Sequence, residues 1–211
     1  MRGLVALILI ALLAIGPCAE ANGPAARGFD YYVLALTWMP GWCVREGDAR
    51  GDARCAEGAG AGWALHGLWP QHEEGWPEFC TTPERDPSRR QTAAMADIIG
   101  SGGLAWHQWR KHGRCSGLGA EAYFDLSRAA YARFALPEIG AETGRLPVTA
   151  LAQAVRAANP ELGEDDFIAT CPGGRLVELR LCLTPDLQPR RCGDDLLARA
   201  CSGRPRVDPP R

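Results

Sequence analysis

Apolar and polar positions sort the chain into a readable series of elements. Residues 29–38 (FDYYVLALTW) are aromatic or apolar almost throughout and stop at Pro40-Gly41, which predicts a buried strand lying centrally in a sheet. Residues 45–62 are mostly Gly, Ala, Asp, Glu and Arg, a loop composition closed at its edges by Cys43 and Cys55. Trp63 to Leu68 reads as a second strand ending near Pro70, and a loop rich in Pro and Glu follows to about Pro87. Ser88 to Ile99 has helical composition that Gly100 and Gly102-Gly103 stop. Glu121 to Phe134 and Val148 to Ala158 are further helices, the first with Tyr, Phe and Leu at helical spacing. Arg175 to Leu183 (RLVELRLCL) alternates apolar and charged residues, as an antiparallel strand with one wet face does. Asp194 to Ala200 predicts a short helix, and the tail 203–211, with three prolines and three arginines, predicts disorder. The series describes an α+β fold, a central antiparallel β-sheet flanked by several α-helices, in one domain over residues 22–202 with no internal repeat.

One helix differs from the rest in carrying chemistry on one side. Leu104 to Lys111 ends at Gly113, and at about 100° per residue His107, Gln108, Lys111 and His112 share a face. Trp106 and Trp109 fall on the opposite side, which is expected to pack.

The N-terminus predicts export. Met1-Arg2 precedes an apolar run from Leu4 to Ile15 and a small-x-small site at Ala19-Glu20-Ala21, so residues 1–21 read as a cleaved signal peptide. That run is shorter than the roughly 18 to 20 residues that span a bilayer, which argues against a membrane anchor. Cys18 raises a lipoprotein alternative that Pro17 disfavours. Removing the segment leaves eight cysteines, Cys43, Cys55, Cys80, Cys115, Cys171, Cys182, Cys192 and Cys201, an even number that implies disulfides in a secreted or periplasmic protein. No two have the close spacing of a zinc knuckle, so neither a metal nor another cofactor is expected. The formal charge of −2 excludes a generally basic nucleic-acid binder, and any polyanion has to be held by a local cluster.

Such a cluster is present. His66, His107 and His112 are three of four histidines, and imidazole both gives and takes a proton near neutrality. Lys111 is the only lysine among 23 basic residues. A compact ammonium on a flexible stem can follow a phosphate whose charge moves during reaction, where a guanidinium binds it in a fixed fork. Singly, each histidine could equally be a hydrogen-bonded core residue or a helix cap, and His72 reads as a surface residue.

The segments WALHGLWPQ (Trp63 to Gln71) and WHQWRKHGRC (Trp106 to Cys115) resemble the two active-site segments of the ribonuclease T2 family of secreted, transferase-type RNases. FDYYVLALTWMPGWC and RLVELRLCL resemble that family's first core strand and a late sheet strand. The resemblance implies a metal-independent endoribonuclease that cuts single-stranded RNA through its 2′-hydroxyl, leaving 2′,3′-cyclic phosphate ends. DNA, which lacks that nucleophile, should resist. It implies His66 as general acid and His112 as general base, Lys111 and His107 at the phosphate, and Trp69 and Gln71 at the base on the 5′ side of the cut. It also implies the disulfides Cys43–Cys55, Cys80–Cys115, Cys171–Cys201 and Cys182–Cys192. Gln108 departs from the family pattern, which has glutamate there, and the lost charge implies an altered pH dependence. A monomeric protein is expected. The alternatives are a catalytically weakened relative acting by RNA or protein binding, and a metal-dependent hydrolase using the histidines as ligands.

Overall fold

A computed structural model describes residues 28–140 and 144–211; the expected signal peptide over residues 1–21 lies outside them. In chain order the elements are β1 (Tyr31–Trp38), α1 (Met39–Trp42), β2 (Trp63–Gln71), α2 (Arg89–Ala93), α3 (Ala96–Ile99), α4 (Gly102–Lys111) and α5 (Ala120–Arg133). There follow β3 (Gly144–Arg145), α6 (Val148–Ala158), β4 (Phe167–Thr170), β5 (Glu178–Leu183), α7 (Asp194–Leu197) and β6 (Arg206–Val207). The fold is α+β, as expected: a four-stranded antiparallel sheet ordered β2-β1-β5-β4, with helices packed on it and four disulfides pinning its connections.

β1 is buried along its whole length because both of its faces are covered. Tyr32, Leu34, Leu36 and Trp38 point into the main core with Trp109 of α4, Tyr123 and Phe124 of α5, and Leu151 and Val155 of α6. Tyr31, Val33 and Ala35 alternate to the other face, where they meet Ile168, Cys182, Cys192 and Leu196. The site lies on this second face. β2 is an edge strand, which is why Pro70 is tolerated inside it.

Several sequence expectations need correction. The helix expected over Ser88 to Ile99 is two short ones. Ser88 and Gln91 close a capping box, but the Thr92 hydroxyl donates back to the carbonyl of Arg89 at 3.1 Å, and Arg128 takes the carbonyl of Ala94 at 2.7 Å, breaking the ladder between them. Part of the loop expected over 45–62 is wound into short helical turns between Cys43 and Cys55. β4 has no counterpart among the expected strands, since FIAT is too short for a periodic signal. β5 has no wet face: as an inner strand it is covered on both sides, and its charged residues Glu178 and Arg180 pair with each other. Trp106 does not pack and stands exposed, while Trp109 alone is driven into the core.

The tail 203–211, expected to be disordered, is docked. β6 pairs with β3, the indole of Trp38 donates to the carbonyl of Asp208 at 3.0 Å, and Arg211 forms an ion pair with Asp48 at 2.5 Å. Its prolines end strands and do not prevent burial: Pro205, Val207 and Asp208 are all buried. Asp208 also forms a largely buried ion pair with Arg175. Removing one partner of such a pair leaves the other charge uncompensated, so Asp208→Ala should lower unfolding free energy by about 3 kcal/mol in urea titrations.

Candidate active site

The position of His66 is set by a β-bulge. From Val33↔Trp69 through Leu34↔Leu68 to Ala35↔Gly67 the register is regular, but the next pair is Leu36↔Leu65, so His66 is an extra residue on β2. Strict alternation would send His66 to the side of Leu68, into the main core. The bulge returns Leu65 to that core and releases His66 to the opposite face.

Opposite Gly67 stands Ala35 of β1, and opposite Ala35 stands Arg180 of β5. Two of the three residues in this row are nearly without side chains, which leaves room on the sheet for long neighbours to cross the central strand. Arg180 lies over Trp69, 5.3 Å from the ring centre, and Glu178 crosses β1 to meet Nδ1 of His66 at 2.6 Å. The Arg180 Nε and Nη2 both donate to the other carboxylate oxygen of Glu178, at 2.9 and 2.6 Å. Burial pushes the Glu178 carboxyl up, but the hydrogen bond and charge of His66, then Arg180, outweigh it and hold the group at about 2. An ionised carboxylate on Nδ1 fixes the ring and turns the other nitrogen away from it.

α4 supplies the facing wall. Ser101 caps its N-terminus by accepting from the amide of Leu104 at 3.2 Å, and His112 closes its C-terminus with its amide on the carbonyl of Gln108 at 2.9 Å. Gln108 is buried, and its Oε1 accepts the indole N–H of Trp69 at 2.8 Å. Gly67 is required for this contact, because a Cβ there would collide with both the amide oxygen and the indole nitrogen. Trp69 stacks on His112 with ring centres 5.0 Å apart and presents its edge to His66 at 4.9 Å, so one indole spaces the two imidazoles.

His112 is buried, and its Nδ1 has no hydrogen-bond partner among the described residues. Burial, and then the charges of Lys111, His66 and His107, push its pKa down to about 2, so the ring is neutral. Burial also lowers His107, with Lys111, His66 and Arg110 acting in the same direction. Lys111 forms an ion pair with Glu78 at 3.4 Å. The Cys80–Cys115 disulfide ties the loop carrying Glu78 to the end of α4, as does the hydrogen bond from the Phe79 amide to the Lys111 carbonyl at 2.8 Å.

All seven residues singled out as catalytic or substrate-binding, His66, Trp69, Gln71, His107, Gln108, Lys111 and His112, border one cavity of about 270 Å³. His72 lies outside it. Sequence reasoning missed Glu178 and Arg180, which border or orient this cavity from β5, and Trp76, Asp195 and Arg199 on its far wall. The signal for the first was available: an acid and a base two residues apart within an otherwise apolar strand. Asp195 is held by the Gly75 amide at 2.9 Å, and the segment carrying α7 is fixed by two disulfides, Cys182–Cys192 before it and Cys171–Cys201 after it.

A model of the ribonuclease T2 family matches residues 29–192. Among curated relatives, a ribonuclease of Aeromonas hydrophila is 39% identical over 108 residues, spanning 51% of this chain and 47% of that protein. Ribonuclease I of Escherichia coli is 29% identical over 160 residues, spanning 54% and 60%. The chain thus spans about half the length of the curated relatives it matches. Among solved structures, an RNase-related protein from Calystegia sepium superposes with a TM-score of 0.67 at 19% identity, covering 87% of this chain and 98% of that one. RNase NT in complex with 5′-AMP gives 0.60 at 21% identity, covering 87% and 100%.

Two buried groups of the site set a pH dependence of stability. The unfolded chain binds protons at His112 near 6.5 and at Glu178 near 4.5, while the folded chain binds them only near 2. Both contributions are therefore complete above the unfolded values and decline as pH falls, from 6.5 for His112 and from 4.5 for Glu178. Thermal midpoints followed from about pH 8 to 3 should fall in two stages. His112→Phe should flatten the upper stage and leave the lower one, to which Asp52, held at about 2 by Arg54, also contributes.

Proposed function

The chain belongs to the ribonuclease T2 family, and from that premise we propose that it is an endoribonuclease cleaving single-stranded RNA by attack of the 2′-hydroxyl on the adjacent phosphorus. The observation that carries this reading is a single cavity bordered by a buried neutral imidazole, His112, and a second imidazole, His66, backed by an ionised carboxylate. His112, being neutral, takes the 2′-hydroxyl proton as the P–O bond forms. His66 donates a proton to the departing 5′-oxygen as the P–O5′ bond breaks, leaving a 2′,3′-cyclic phosphate. Glu178 orients His66 through Nδ1, which leaves Nε2 for the leaving group. Lys111 and His107 offset the charge of the crowded phosphorane, a role that a dry, preorganised site strengthens.

Trp69 and Gln71 border the same cavity and serve the base on the 5′ side of the cut, where an indole stacks and an amide meets a base edge. DNA offers no 2′-hydroxyl and is not a substrate. Metal ions have no step to perform. The protein acts as a monomer in an oxidising compartment, the periplasm or the medium, where its four disulfides persist. Among the described residues no helix is long and apolar enough to cross a membrane.

Gln108 favours a second reading, an RNA-binding relative with weakened catalysis, because glutamine supplies no negative charge to neighbouring imidazoles. The geometry sharpens the point. With Oε1 committed to Trp69, only the amide N–H groups of Gln108 remain to meet a substrate, so this position donates to an anion that a glutamate would repel.

Purified protein with excess EDTA should cleave a ribo-oligonucleotide and leave its 2′-deoxy counterpart intact. His66→Ala and His112→Ala should each lower kcat by about 10²- to 10⁴-fold with an unchanged fold. Cleavage abolished by EDTA would indicate the metal-dependent alternative, and RNA binding without cleavage the weakened one. In Gln108→Glu, the added negative charge favours imidazolium, so the acidic limb of the pH–rate profile should move to higher pH. Superimposable profiles would refute the electrostatic role of this position.

A further inference from the structure

Beside the catalytic cavity a second and larger cleft, of about 1140 Å³, opens along the same face and shares His66, His107, Gln108, Arg180 and Arg199 with it. Its outer walls are arginine-rich although the chain as a whole carries a net charge of −2. The arginines divide into two groups. Arg50 and Arg54 are neutralised by Glu46 at 2.5 Å and Asp52 at 2.8 Å. Arg45, Arg145, Arg199 and Arg204 have no carboxylate partner among the described residues. Arg45 donates to the carbonyl of Pro172 at 3.2 Å, Arg145 and Arg204 donate to each other's main-chain carbonyls at 3.2 and 3.3 Å, and Arg199 lies over the ring of Trp76. All four are exposed. Backbone carbonyls and an aromatic face orient a guanidinium without cancelling its charge, and the donors left over point to an anionic ligand.

Resting on the ribonuclease reading above, we propose that this cleft is an extended binding groove for the RNA backbone, taking phosphates beyond the linkage that is cut. The bases contribute little there, because the charged wall recognises the repeating phosphate and not base edges. The cleft thus presents four uncompensated guanidinium groups along a groove that reaches the histidines. Longer RNA is a better substrate than a dinucleotide, which occupies the catalytic cavity alone.

The test compares kcat/KM on a ribodinucleotide and on an RNA of about 15 nucleotides with one cleavable linkage, for the wild type, a triple Arg45→Gln, Arg145→Gln, Arg204→Gln variant, and the corresponding triple lysine variant. The wild type should favour the longer substrate. The glutamine variant should lose roughly tenfold on that substrate at low ionic strength, and the slope of log(kcat/KM) against log[salt] should shrink by about 0.7 for each phosphate that is no longer neutralised. The lysine variant should retain most of the advantage, which separates charge from the structural role of the guanidinium–carbonyl contacts. A second arm measures binding of a non-cleavable 2′-deoxy strand of the same length by fluorescence anisotropy, so a failure of the catalytic reading leaves the groove testable. A glutamine variant that keeps the long-substrate advantage, its salt slope and its affinity for the deoxy strand would overturn the proposal, as would equal binding of polyglutamate.

Discussion

The contact between Glu178 and His66 spans the central strand, and the rest of the site is arranged to permit it. A carboxylate on an inner strand is costly to bury, and here the cost is offset by a guanidinium on one oxygen and an imidazole on the other. For the pair to meet, the histidine must leave the alternation of its own strand. The bulge at His66 meets that condition, and Glu178 reaches across β1 from its place opposite Thr37.

Gly67 leaves room for a second contact, that of Gln108 with Trp69, and the indole lies between the two imidazoles. Histidine geometry is thus fixed from both walls of the cavity: by the sheet through Glu178 and by α4 through Gln108. Neither wall relies on a mobile loop for its position, because the loop beside α4 is tied down by Cys80–Cys115.

Much of this is legible in the chain. β1, β2, α4 and α6 follow directly from periodicity, and seven residues of the cavity follow from two short segments whose resemblance to a known family also implies the four disulfides found here. What escapes is non-local. Alternation in RLVELRLCL reads as one wet face, since a strand's own sequence does not say that it will lie between two others. Glu178 and Arg180 stand out in that strand, but the partner of Glu178 across β1, His66, is 112 residues away in sequence. The bulge leaves a faint trace: Leu65 and Leu68, three apart, both point into the core, which unbroken alternation forbids. The tail misleads because composition counts prolines and arginines but does not see that Asp208 is matched to Arg175.

The disulfides that bracket α7 have a consequence for the cavity wall it carries. Cys192 and Cys201 join this short helix to the sheet on either side of Asp195 and Arg199, and a four-residue helix has little intrinsic stability of its own. With both pairs reduced, the far wall of the cavity loses its two covalent ties and is left with the burial of Leu196 and the Gly75–Asp195 hydrogen bond.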